Sequence, residues 1–466
     1  MHLHILGICG TFMGSLALLA RQLGHTVTGS DIGIYPPMST QLLEAGVEII
    51  EGYGAEQLDV GADLIVVGNT MRRGHPVIEA MLDQRLSYTS GPALIHEILL
   101  KDKHVLAVAG THGKTTTTTL LAWILQHAGI DTGFLIGGVP LSKSTTNLKN
   151  GNVFSQSAYA GSSDYFVIEA DEYDSAFFDK RSKFVHYRPT TAILGNLEFD
   201  HADIFENLAA IQKQFHHLVR TIPGSGQIIM PANCEPLEEV IAMGAWTPVM
   251  RTQVLTDEST AGDVSLSAAL VEPDGSRFEV SFEDSVTEVS WNLSGLHNVH
   301  NALAAMAAAR SAGVSLEQSA AALADFAGIK RRMEHIGSPR GIDVFDDFAH
   351  HPTAIATTLD GARKRFGERR IWAVIEPRSN TMRLGSHEVL LGGAASLADQ
   401  VIWQQPAGVD WQIRRALAGH PEQTVFDTVD EILDHLSAHA VSGDVIVIMS
   451  NGAFGGLHTR LVERLS

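Results

Sequence analysis

The stretch Ala107-Val108-Ala109-Gly110-Thr111-His112-Gly113-Lys114-Thr115-Thr116 decides the fold of the middle of this chain. The apolar run at 105–108 predicts a buried strand, and residues 115–126 predict a helix. A strand, a glycine turn ending in Gly-Lys-Thr and a helix form a phosphate cradle, because backbone N–H groups and the helix N-terminus face the anion. Lys114 would reach the phosphates, and Thr115 would ligate magnesium. The loop is short because Val108 stands where the usual motif has its first glycine. It predicts a nucleoside-triphosphate site, the alternative being a glycine-rich turn with a solvated lysine.

Length, composition and charge limit the classes of protein that the chain can be. Its 466 residues correspond to about three domains. Two cysteines, Cys9 and Cys234, give no disulfide framework. The N-terminus has no basic segment ahead of an apolar one, and no apolar run approaches the ~20 residues of a membrane span. The formal charge of -20 argues against nucleic acid and anionic membranes as partners. We therefore expect a soluble, cytoplasmic, multidomain enzyme.

The first hundred residues have the order of a Rossmann-type nucleotide site. A short strand at 4–7 leads into a glycine-containing turn and a helix at 15–23, and a second strand ends on Asp31, an acid suited to a ribose or base. The glycines are loosely spaced, because Cys9 interrupts the usual GxGxxG pattern. Asn69 and Thr70 follow a third strand, at the edge where ligands bind in open α/β sheets. A dinucleotide site with NAD on Asp31 is the alternative interpretation.

Two further strands of the central region end in ligand-type side chains. The apolar strand 165–168 is followed by Glu169, Asp171 and Glu172, and an acid at this point beside a phosphate loop suits magnesium. A solvated acidic loop is the alternative, above all for Glu172. The strand 191–194 is followed by Asn196, Glu198, Asp200 and His201, which are hard to explain as packing.

Residues 226–293 predict short strands and hence a β-rich insert of structural character. An alanine-rich helix then begins near Asn298, for which the role of a helix cap is the alternative to ligand binding. His297 and Asn301 are available for a base or a ribose.

The last third predicts another open α/β sheet, with polar residues after its strands. Arg331 and Arg332 lie at a predicted hinge, where an arginine could cross to the γ-phosphate. Pro352 suits the first turn of a helix at 353–366. Arg378 and Arg383 suit a substrate carboxylate, and surface arginines are the alternative.

Six elements in the same order resemble the Mur ligase family over the whole length of the chain. They are the loop 110–115, Glu169 with Asp171, Asn196 with Asp200 and His201, Gly295 with His297, Asn298 and Asn301, Arg331 with Arg332 and Glu334, and the segment 346–352. The resemblance implies an α/β fold of three domains: a Rossmann-like N-terminal domain, a P-loop ATPase central domain with the β-rich insert, and a Rossmann-like C-terminal domain. Their bounds would be 1–103 for UDP-sugar binding, 104–327 for ATP binding and 328–466 for the peptide acceptor.

The resemblance also implies the site residues. The catalytic set would be Lys114, Glu169, His201 and Arg332, and the magnesium ligands would be Thr115, Glu169 and His201. ATP would be bound by Gly110, Thr111, His112, Gly113, Lys114, Thr115, Thr116, His297, Asn298, Asn301, Arg332 and Asp347. The UDP-sugar would be bound by Gly7, Gly10, Thr11, Met13, Gly14, Ser30, Asp31, Asn69 and Thr70. The peptide would be bound by His351, Arg378, Ser379, Asn380, Thr381, Arg383 and Asn451.

The reaction follows from the same resemblance. With ATP and Mg²⁺, the lactyl carboxylate of UDP-N-acetylmuramate would pass through an acyl phosphate to an amide. The segments 9–14, 376–385 and 450–456 depart from the branch that adds L-alanine. They are similar to the branch that adds L-Ala-γ-D-Glu-meso-diaminopimelate in peptidoglycan recycling. Phe215 stands near the position where several relatives carry a carbamylated lysine, and Lys213 is two residues away, so no carbamylation is predicted.

Three other functions remain open at this point. The first is a ligase of the L-alanine-adding branch, which has the same chemistry and a different acceptor. The second is an NAD-dependent oxidoreductase built on the first domain, which leaves the phosphate loop unexplained. The third is a catalytically silent nucleotide-binding regulator, against which intact Lys114, Glu169 and His201 argue.

Overall fold

The computed structural model describes residues 1–35, 38–138, 140–141, 153–200, 204–255, 264–378, 382, 387–405, 413–417, 419–420 and 422–466. Within these residues the chain builds three large sheets in sequence order, each flanked by helices, and one two-stranded hairpin. The predicted α/β fold in three parts of the chain is confirmed.

The first sheet is parallel, with the strand order β3-β2-β1-β4-β5 in the described residues. Its strands are β1 (His2–Leu6), β2 (Thr26–Asp31), β3 (Glu48–Glu51), β4 (Leu64–Val67) and β5 (Tyr88–Ser90). Its helices are α1 (Thr11–Gln22), α2 (Met38–Glu44), α3 (Pro76–Asp83) and α4 (Gly91–Ile98). The strand order reverses between β1 and β4, and ligands of open α/β sheets bind at such a switch point. The turn after β1 and the end of β4 both lie there.

The central sheet contains the phosphate loop. Its strands are β6 (His104–Ala109), β7 (Gly133–Leu135), β8 (Ala158–Tyr159), β9 (Tyr165–Glu169), β12 (Thr191–Leu194), β13 (Gln227–Pro231), β14 (Val249–Leu255), β15 (Leu266–Leu270), β16 (Arg277–Phe282) and β17 (Ser285–Ser290). A separate hairpin is formed by β10 (Asp174–Ala176) and β11 (Asp179–Ser182). The helices are α5 (Lys114–His127), α6 (Leu208–Val219), α7 (Glu235–Ala242), α8 (Leu296–Arg310) and α9 (Leu316–Ala324). In the described residues the strand order is β17-β16-β15-β14-β13-β12-β6-β9-β7-β8, which places β6 between β12 and β9.

The region predicted as a β-rich insert is rich in strands, and the structure adds them to this central sheet. β13, β14 and β15 continue it in parallel from β12, and β16 and β17 finish it as antiparallel strands. The helix α7 lies between β13 and β14. Without β13, one edge of β12 would leave its backbone N–H and C=O groups unpaired, and extending the sheet satisfies these groups.

The third sheet has the strand order β18-β19-β23-β20-β21-β22 in the described residues. Its strands are β18 (Glu334–Gly337), β19 (Asp343–Asp347), β20 (Ile371–Ile375), β21 (Gln400–Gln404), β22 (Thr424–Phe426) and β23 (Val445–Met449). Its helices are α10 (Pro352–Phe366), α11 (Glu388–Ala394), α12 (Ile413–Ala416), α13 (Val429–His439) and α14 (Leu457–Leu465). As predicted, Pro352 occupies the first turn of α10.

The core of the central domain fixes the helix that follows the phosphate loop. α5 packs against α8, and both are buried among small and aliphatic side chains. Alanines let the two helices approach closely. The Trp123 indole N–H donates to the backbone oxygen of Ala322 at 2.6 Å. α5 is therefore held on several sides, and the loop at its N-terminus has a rigid base.

Candidate active site

The phosphate loop joins β6 to α5 and is closed by a backbone conformation that favours glycine. Gly113 has φ +77° and precedes the first helical residue, Lys114. A Cβ at Gly113 would lie 2.5 Å from Asn301 Oδ1, so a side chain is excluded by contact as well as by φ. Asn196 holds the loop from β12: its Oδ1 accepts from His112 N at 2.8 Å, and its Nδ2 donates to His112 O at 2.9 Å. Asn196, predicted from its position after a strand, thus positions the loop.

Lys114 is withdrawn among acidic groups. Its Nζ donates to Gly110 O at 2.7 Å and to Glu172 Oε2 at 2.9 Å, and it lies 3.9 Å from Asp171 Oδ1. Burial lowers the pKa of Lys114, but the charges of Glu172 and Asp171 outweigh burial, so the pKa lies above its usual value. The Glu172 side chain is 3% exposed. The alternative of a solvated acidic loop is therefore wrong for Glu172, because its carboxylate is buried against the lysine.

Glu169 and Thr115 form the pair predicted for magnesium. Thr115 Oγ1 donates to Glu169 Oε1 at 2.9 Å, and Gly137 N donates to Glu169 Oε2 at 2.7 Å. Burial is the larger cause of the raised pKa of Glu169, and the negative charge of Asp171 is the second cause. A hydroxyl and two neighbouring carboxylates in a poorly hydrated place are oxygen donors that suit a hard divalent cation. His201, predicted as a third ligand, lies outside the described residues.

One cleft of about 1180 Å³ is lined by the residues predicted for ATP, with the exception of Gly110. Its walls come from the central and C-terminal domains. No described residue from 1 to 110 lines the cleft. The predicted ATP residues that line it are Thr111, His112, Gly113, Lys114, Thr115, Thr116, His297, Asn298, Asn301, Arg332 and Asp347. The structure therefore brings motifs more than 200 positions apart in the chain to one cleft.

The α8 residues in the cleft are ordered by side-chain hydrogen bonds. Asn301 Oδ1 accepts from Thr117 Oγ1 at 3.1 Å, which joins α8 to α5. Asn298 Nδ2 donates to Ser294 O at 2.8 Å. Asn298 is inside α8, whose N-cap is Gly295, so the alternative of an Asn298 cap is wrong. Burial lowers the pKa of His297 to about 4, and its ring is neutral at pH 7.

The hinge into the third domain is strained and hydrogen-bonded. Arg331 and Met333 have positive φ although they are not glycines. Asp347 Oδ2 accepts from Met333 N at 2.8 Å and its Oδ1 accepts from Ala349 N at 2.8 Å, so this predicted ribose ligand also holds the hinge. Arg331 Nη2 donates to Ser450 O at 2.6 Å, whereas Arg332 stacks on the Phe348 ring at 4.8 Å inside the cleft. Arg331 therefore holds the third domain together, and Arg332 faces the cleft.

A cluster of His112, Glu198 and His351 joins the central and C-terminal domains, and their possible ligand atoms lie within 4.8 Å of one another. Thr353 Oγ1 donates to Glu198 Oε2 at 2.8 Å. The His351 side chain caps α10 by accepting from Thr353 N, and it lies 3.2 Å from His387. His351, predicted for the peptide, is 5% exposed, so the structure gives it a role between domains.

The residues predicted for the UDP-sugar divide into exposed and buried groups. Gly10, Thr11, Asn69 and Thr70 are exposed around the switch point of the first sheet. Gly7, Met13, Gly14 and Ser30 are buried under the turn, which does not support direct side-chain contact for Met13 or Ser30. Asp31 accepts from Cys9 N at 2.8 Å, from Gly33 N at 2.9 Å and from the Tyr53 hydroxyl at 3.2 Å. Its carboxylate thus orders the turn.

The residues predicted for the peptide are only partly described. Ser379, Asn380, Thr381 and Arg383 lie outside the described residues. Arg378 is exposed and its guanidinium packs against Gly452. Asn451 lines the cleft, and its buried Oδ1 has no hydrogen-bond partner among the described residues. Lys213 is exposed on α6 whereas Phe215 is 1% exposed.

Sequence reasoning missed several roles that the structure reveals. The Glu172 pair with Lys114, the Gly137 N–H on Glu169 and the contact of His112 with His351 join residues far apart in the chain. No local motif marks such pairs. Their only signal was the concentration of acids after β9 and of histidines in 346–352.

An acid-lined phosphate loop in a cleft between two α/β domains, with a third domain at its side, is the arrangement of an enzyme that binds a nucleoside triphosphate. Family models match the chain in that order: "Mur ligase family, catalytic domain" at residues 2–103, "Mur ligase middle domain" at 108–309 and "Mur ligase, glutamate ligase domain" at 331–452. The chain belongs to the Mur ligase family.

Within the family, the chain is more similar to some ligases than to others. The UDP-N-acetylmuramate–L-alanyl-gamma-D-glutamyl-meso-2,6-diaminoheptandioate ligase of Escherichia coli is 50% identical, over 100% of this chain and 98% of that protein. The crystal structure of a murein peptide ligase from Psychrobacter arcticus is 58% identical with a TM-score of 0.77, over 100% of this chain and 98% of that chain. A UDP-N-acetylmuramate–L-alanine ligase of Burkholderia cenocepacia is 29% identical, over 100% of this chain and 98% of that protein. Among the described residues, no helix combines the length and apolar character needed to cross a membrane.

Proposed function

We propose that this protein joins the lactyl carboxylate of UDP-N-acetylmuramate to the amino group of L-Ala-γ-D-Glu-meso-diaminopimelate, with ATP as the co-substrate, in peptidoglycan recycling. The identity of 50% to a ligase named for this tripeptide, over the whole chain, carries the proposal. The lower identity of 29% to an L-alanine ligase favours the tripeptide over L-alanine. Both nucleotide substrates are cytoplasmic metabolites, so we place the reaction in the cytoplasm. We propose domain bounds of 1–103, 104–327 and 328–466.

The proposed reaction has two steps and needs no protein nucleophile. A carboxylate oxygen attacks the γ-phosphorus of ATP, ADP leaves, and an acyl phosphate forms. The ammonium group of the acceptor loses one proton, and the resulting amine attacks the carbonyl carbon. The tetrahedral intermediate then collapses to the amide and hydrogen phosphate. The protein's tasks are therefore to place the reactants and to neutralise developing charge.

The geometry supports a role for each group in the cleft. We assign Lys114 to the β- and γ-phosphates, for which it must leave Glu172. Arg332 enters the cleft from the hinge and would stabilise the transferring phosphoryl group. His297, Asn298 and Asn301 line the cleft at the start of α8 and would hold the nucleoside. Because the cleft lies between two domains, we expect closure of the third domain before chemistry.

We further propose that Thr115 and Glu169 hold Mg²⁺, which would neutralise phosphate charge when bound. The half-buried carboxylate of Glu169 beside the Thr115 hydroxyl supports this assignment. Glu169→Gln should raise the magnesium concentration needed for half-maximal activity. An unchanged magnesium titration would remove Glu169 from the metal site.

The test of the function is ATP-dependent phosphate release with UDP-N-acetylmuramate and either acceptor. Release with the tripeptide and not with L-alanine supports the proposal. Release with L-alanine alone would assign the protein to the alanine-adding branch. Silence with both acceptors would overturn the proposal.

A further inference from the structure

Lys183 is a buried lysine that the reaction described above leaves unused. It directly follows the hairpin strand β11 and is 5% exposed, whereas lysines are seldom so buried unless paired. Its Nζ lies 3.6 Å from Asp171 Oδ2, 4.9 Å from the centre of the Phe12 ring and 5.6 Å from the centre of the Tyr173 ring. Among the described residues, Lys183 Nζ donates no hydrogen bond, and its ion pair with Asp171 is long, at 3.6 Å. Its three N–H donors therefore remain available for an acceptor.

The position of Lys183 is fixed from both neighbouring domains. The hairpin β10–β11 carries Phe177 and Phe178 at its tip, where Phe178 meets Tyr88 of the first domain at 4.9 Å and Phe177 packs on the core of that domain. Lys183 N donates to Tyr173 O at 2.9 Å, and Ser182 Oγ donates to Glu172 O at 2.6 Å. The lysine thus sits where the central domain docks on the first domain.

Asp171 separates two ammonium groups. Its Oδ1 lies 3.9 Å from Lys114 Nζ, and its Oδ2 lies 3.6 Å from Lys183 Nζ. Lys114 lines the ATP cleft, whereas Lys183 contacts Phe12, which is in the first turn of α1 beside the exposed turn residues Gly10 and Thr11. The two cations therefore face opposite sides of one carboxylate, one towards ATP and the other towards the first domain.

We propose that Lys183 binds the lactyl carboxylate of the sugar nucleotide and holds it for attack on the γ-phosphorus. The inference rests on the proposed function, in which the first domain holds the UDP moiety and Lys114 holds the γ-phosphate. The reacting carboxylate must then lie between these two places, where Lys183 lies. An ammonium group that bonds one carboxylate oxygen leaves the other oxygen free to attack. Neighbouring aromatic rings exclude water and strengthen this ion pair.

The first experiment compares two ligands that differ in the carboxylate. UDP-N-acetylglucosamine has no lactyl group, so its affinity should not depend on Lys183. By calorimetry, Lys183→Met should weaken binding of UDP-N-acetylmuramate about 10- to 100-fold, the value of a hydrogen bond to a charged group. Binding of UDP-N-acetylglucosamine should change less than about twofold. Lys183→Arg keeps the positive charge, so it should retain part of the wild-type preference for UDP-N-acetylmuramate over UDP-N-acetylglucosamine.

A matched control lies on the same hairpin. Lys180 has a side chain that is 70% exposed and bonded to Asp174 at 2.8 Å. Lys180→Met should leave both affinities unchanged. The Lys183→Met protein should fold, because Asp171 is partly exposed and keeps its contact with Lys114 at 3.9 Å. If Lys183→Met does not fold, Lys183→Arg provides the test. This variant must weaken the binding of UDP-N-acetylmuramate and leave the binding of UDP-N-acetylglucosamine unchanged.

The second experiment measures the first chemical step. Hydroxylamine traps an acyl phosphate as a hydroxamate, and Lys183→Met should lower this yield while the KM for ATP stays unchanged. A variant that still discriminates between the two sugar nucleotides like the wild type would overturn the inference and leave Lys183 as a docking residue. Absence of phosphate release by the wild-type protein with either acceptor would instead overturn the proposed function.

Discussion

The turn after β1 and the turn after β6 have the same backbone plan and different electrostatics. Each follows a parallel strand, contains a glycine with positive φ, +78° at Gly7 and +77° at Gly113, and opens a helix. In each, a side chain from a neighbouring strand end accepts one backbone N–H of the turn. This side chain is Asp31 in the first domain and Asn196 in the central domain.

The difference lies in the charged groups around each turn. The second turn has Lys114 at the helix start, with Glu169, Asp171 and Glu172 within the range of its charge. The first has a neutral residue, Thr11, at the start of α1. Backbone N–H groups and a helix N-terminus are sufficient to hold a phosphate group. A phosphoryl transfer also needs cations that follow the developing charge. The backbone plan of a turn therefore selects a phosphate-containing ligand, and the charged side chains around the turn decide whether that ligand is only held or also reacts.

The strongest test removes the cation that distinguishes the two turns. Lys114→Ala should lower acyl-phosphate formation about a thousandfold or more, because one charge-stabilising group at the transferring phosphoryl is lost. Binding of UDP-N-acetylmuramate should persist, since the first domain is untouched. The exposed Lys101 provides the control variant Lys101→Ala, which should be fully active. Near-normal hydroxamate yield from Lys114→Ala would remove the lysine from the reaction.

The next test adds a methyl group to one glycine of positive φ in each turn, Gly7 directly after β1 and Gly113 directly before α5. Gly7→Ala should lower the free energy of unfolding by about 1–2 kcal/mol, the cost of positive φ, because its Cβ would make only ordinary contacts, with Thr70 Oγ1 at 3.4 Å and the Tyr53 hydroxyl at 3.9 Å. Gly113→Ala should cost roughly 2–4 kcal/mol, because its Cβ also displaces Asn301 from Thr117. Denaturant unfolding of both variants measures the two costs. Equal costs would show that the Asn301 side chain moves away from the added methyl group without loss of stability.

A third test weakens the first turn. Asp31→Ala removes the acceptor of three hydrogen bonds. The KM for UDP-N-acetylmuramate should rise about 10- to 100-fold through loss of the ordered turn, while the KM for ATP is unchanged. Asp59→Asn, an exposed change in the same domain, should have no effect. A parallel rise of both KM values would contradict separate roles for the two turns.

The smallest expected effect concerns histidines buried near each turn. Burial lowers the pKa of three histidines to about 4: His4 in the first domain, His297 in the cleft, and His351 in the cluster that joins the central and C-terminal domains. Between pH 6.5 and 4 the unfolded chain binds protons that the folded chain does not, so stability falls as the pH falls through this window. Each histidine should cost about 1 kcal/mol between pH 7 and 5.5.

Thermal unfolding at both pH values checks this expectation. His4→Gln should reduce the loss of stability at pH 5.5, whereas a substitution of the exposed His335 should not. A pH response that is the same in His4→Gln and wild type would show that His4 does not contribute.

Much of the architecture could be predicted because it depends on local patterns. Apolar strands such as 105–108 and the proline at the start of α10 are local signals, and the structure confirms both. The strands of residues 226–293 were predicted too, but hydrophobic alternation does not show which edge of a sheet they join. The capping alternative for Asn298 failed for a similar reason: an Asn near a helix start has the right chemistry for either place.

The site was predicted as a set of residue types, and the structure decided how they pair. Residue order gave Lys114 and the acids after β9 as neighbours of a phosphate. It could not show that Glu172, the acid that resembled a solvated loop, is buried against the lysine, or that His351 turns towards His112.

The amino-acid sequence by itself determined the three α/β domains, the phosphate loop and the family, because strand, turn and helix propensities and motif spacing act over a few residues. Tertiary structure alone decided the contacts between domains: the cleft, the hinge at Arg331 and the burial of Lys183 between Asp171 and Phe12. The physical reason is that charge pairing and desolvation depend on distances in space. Those distances are set by how the sheets pack, and sequence separation does not record them.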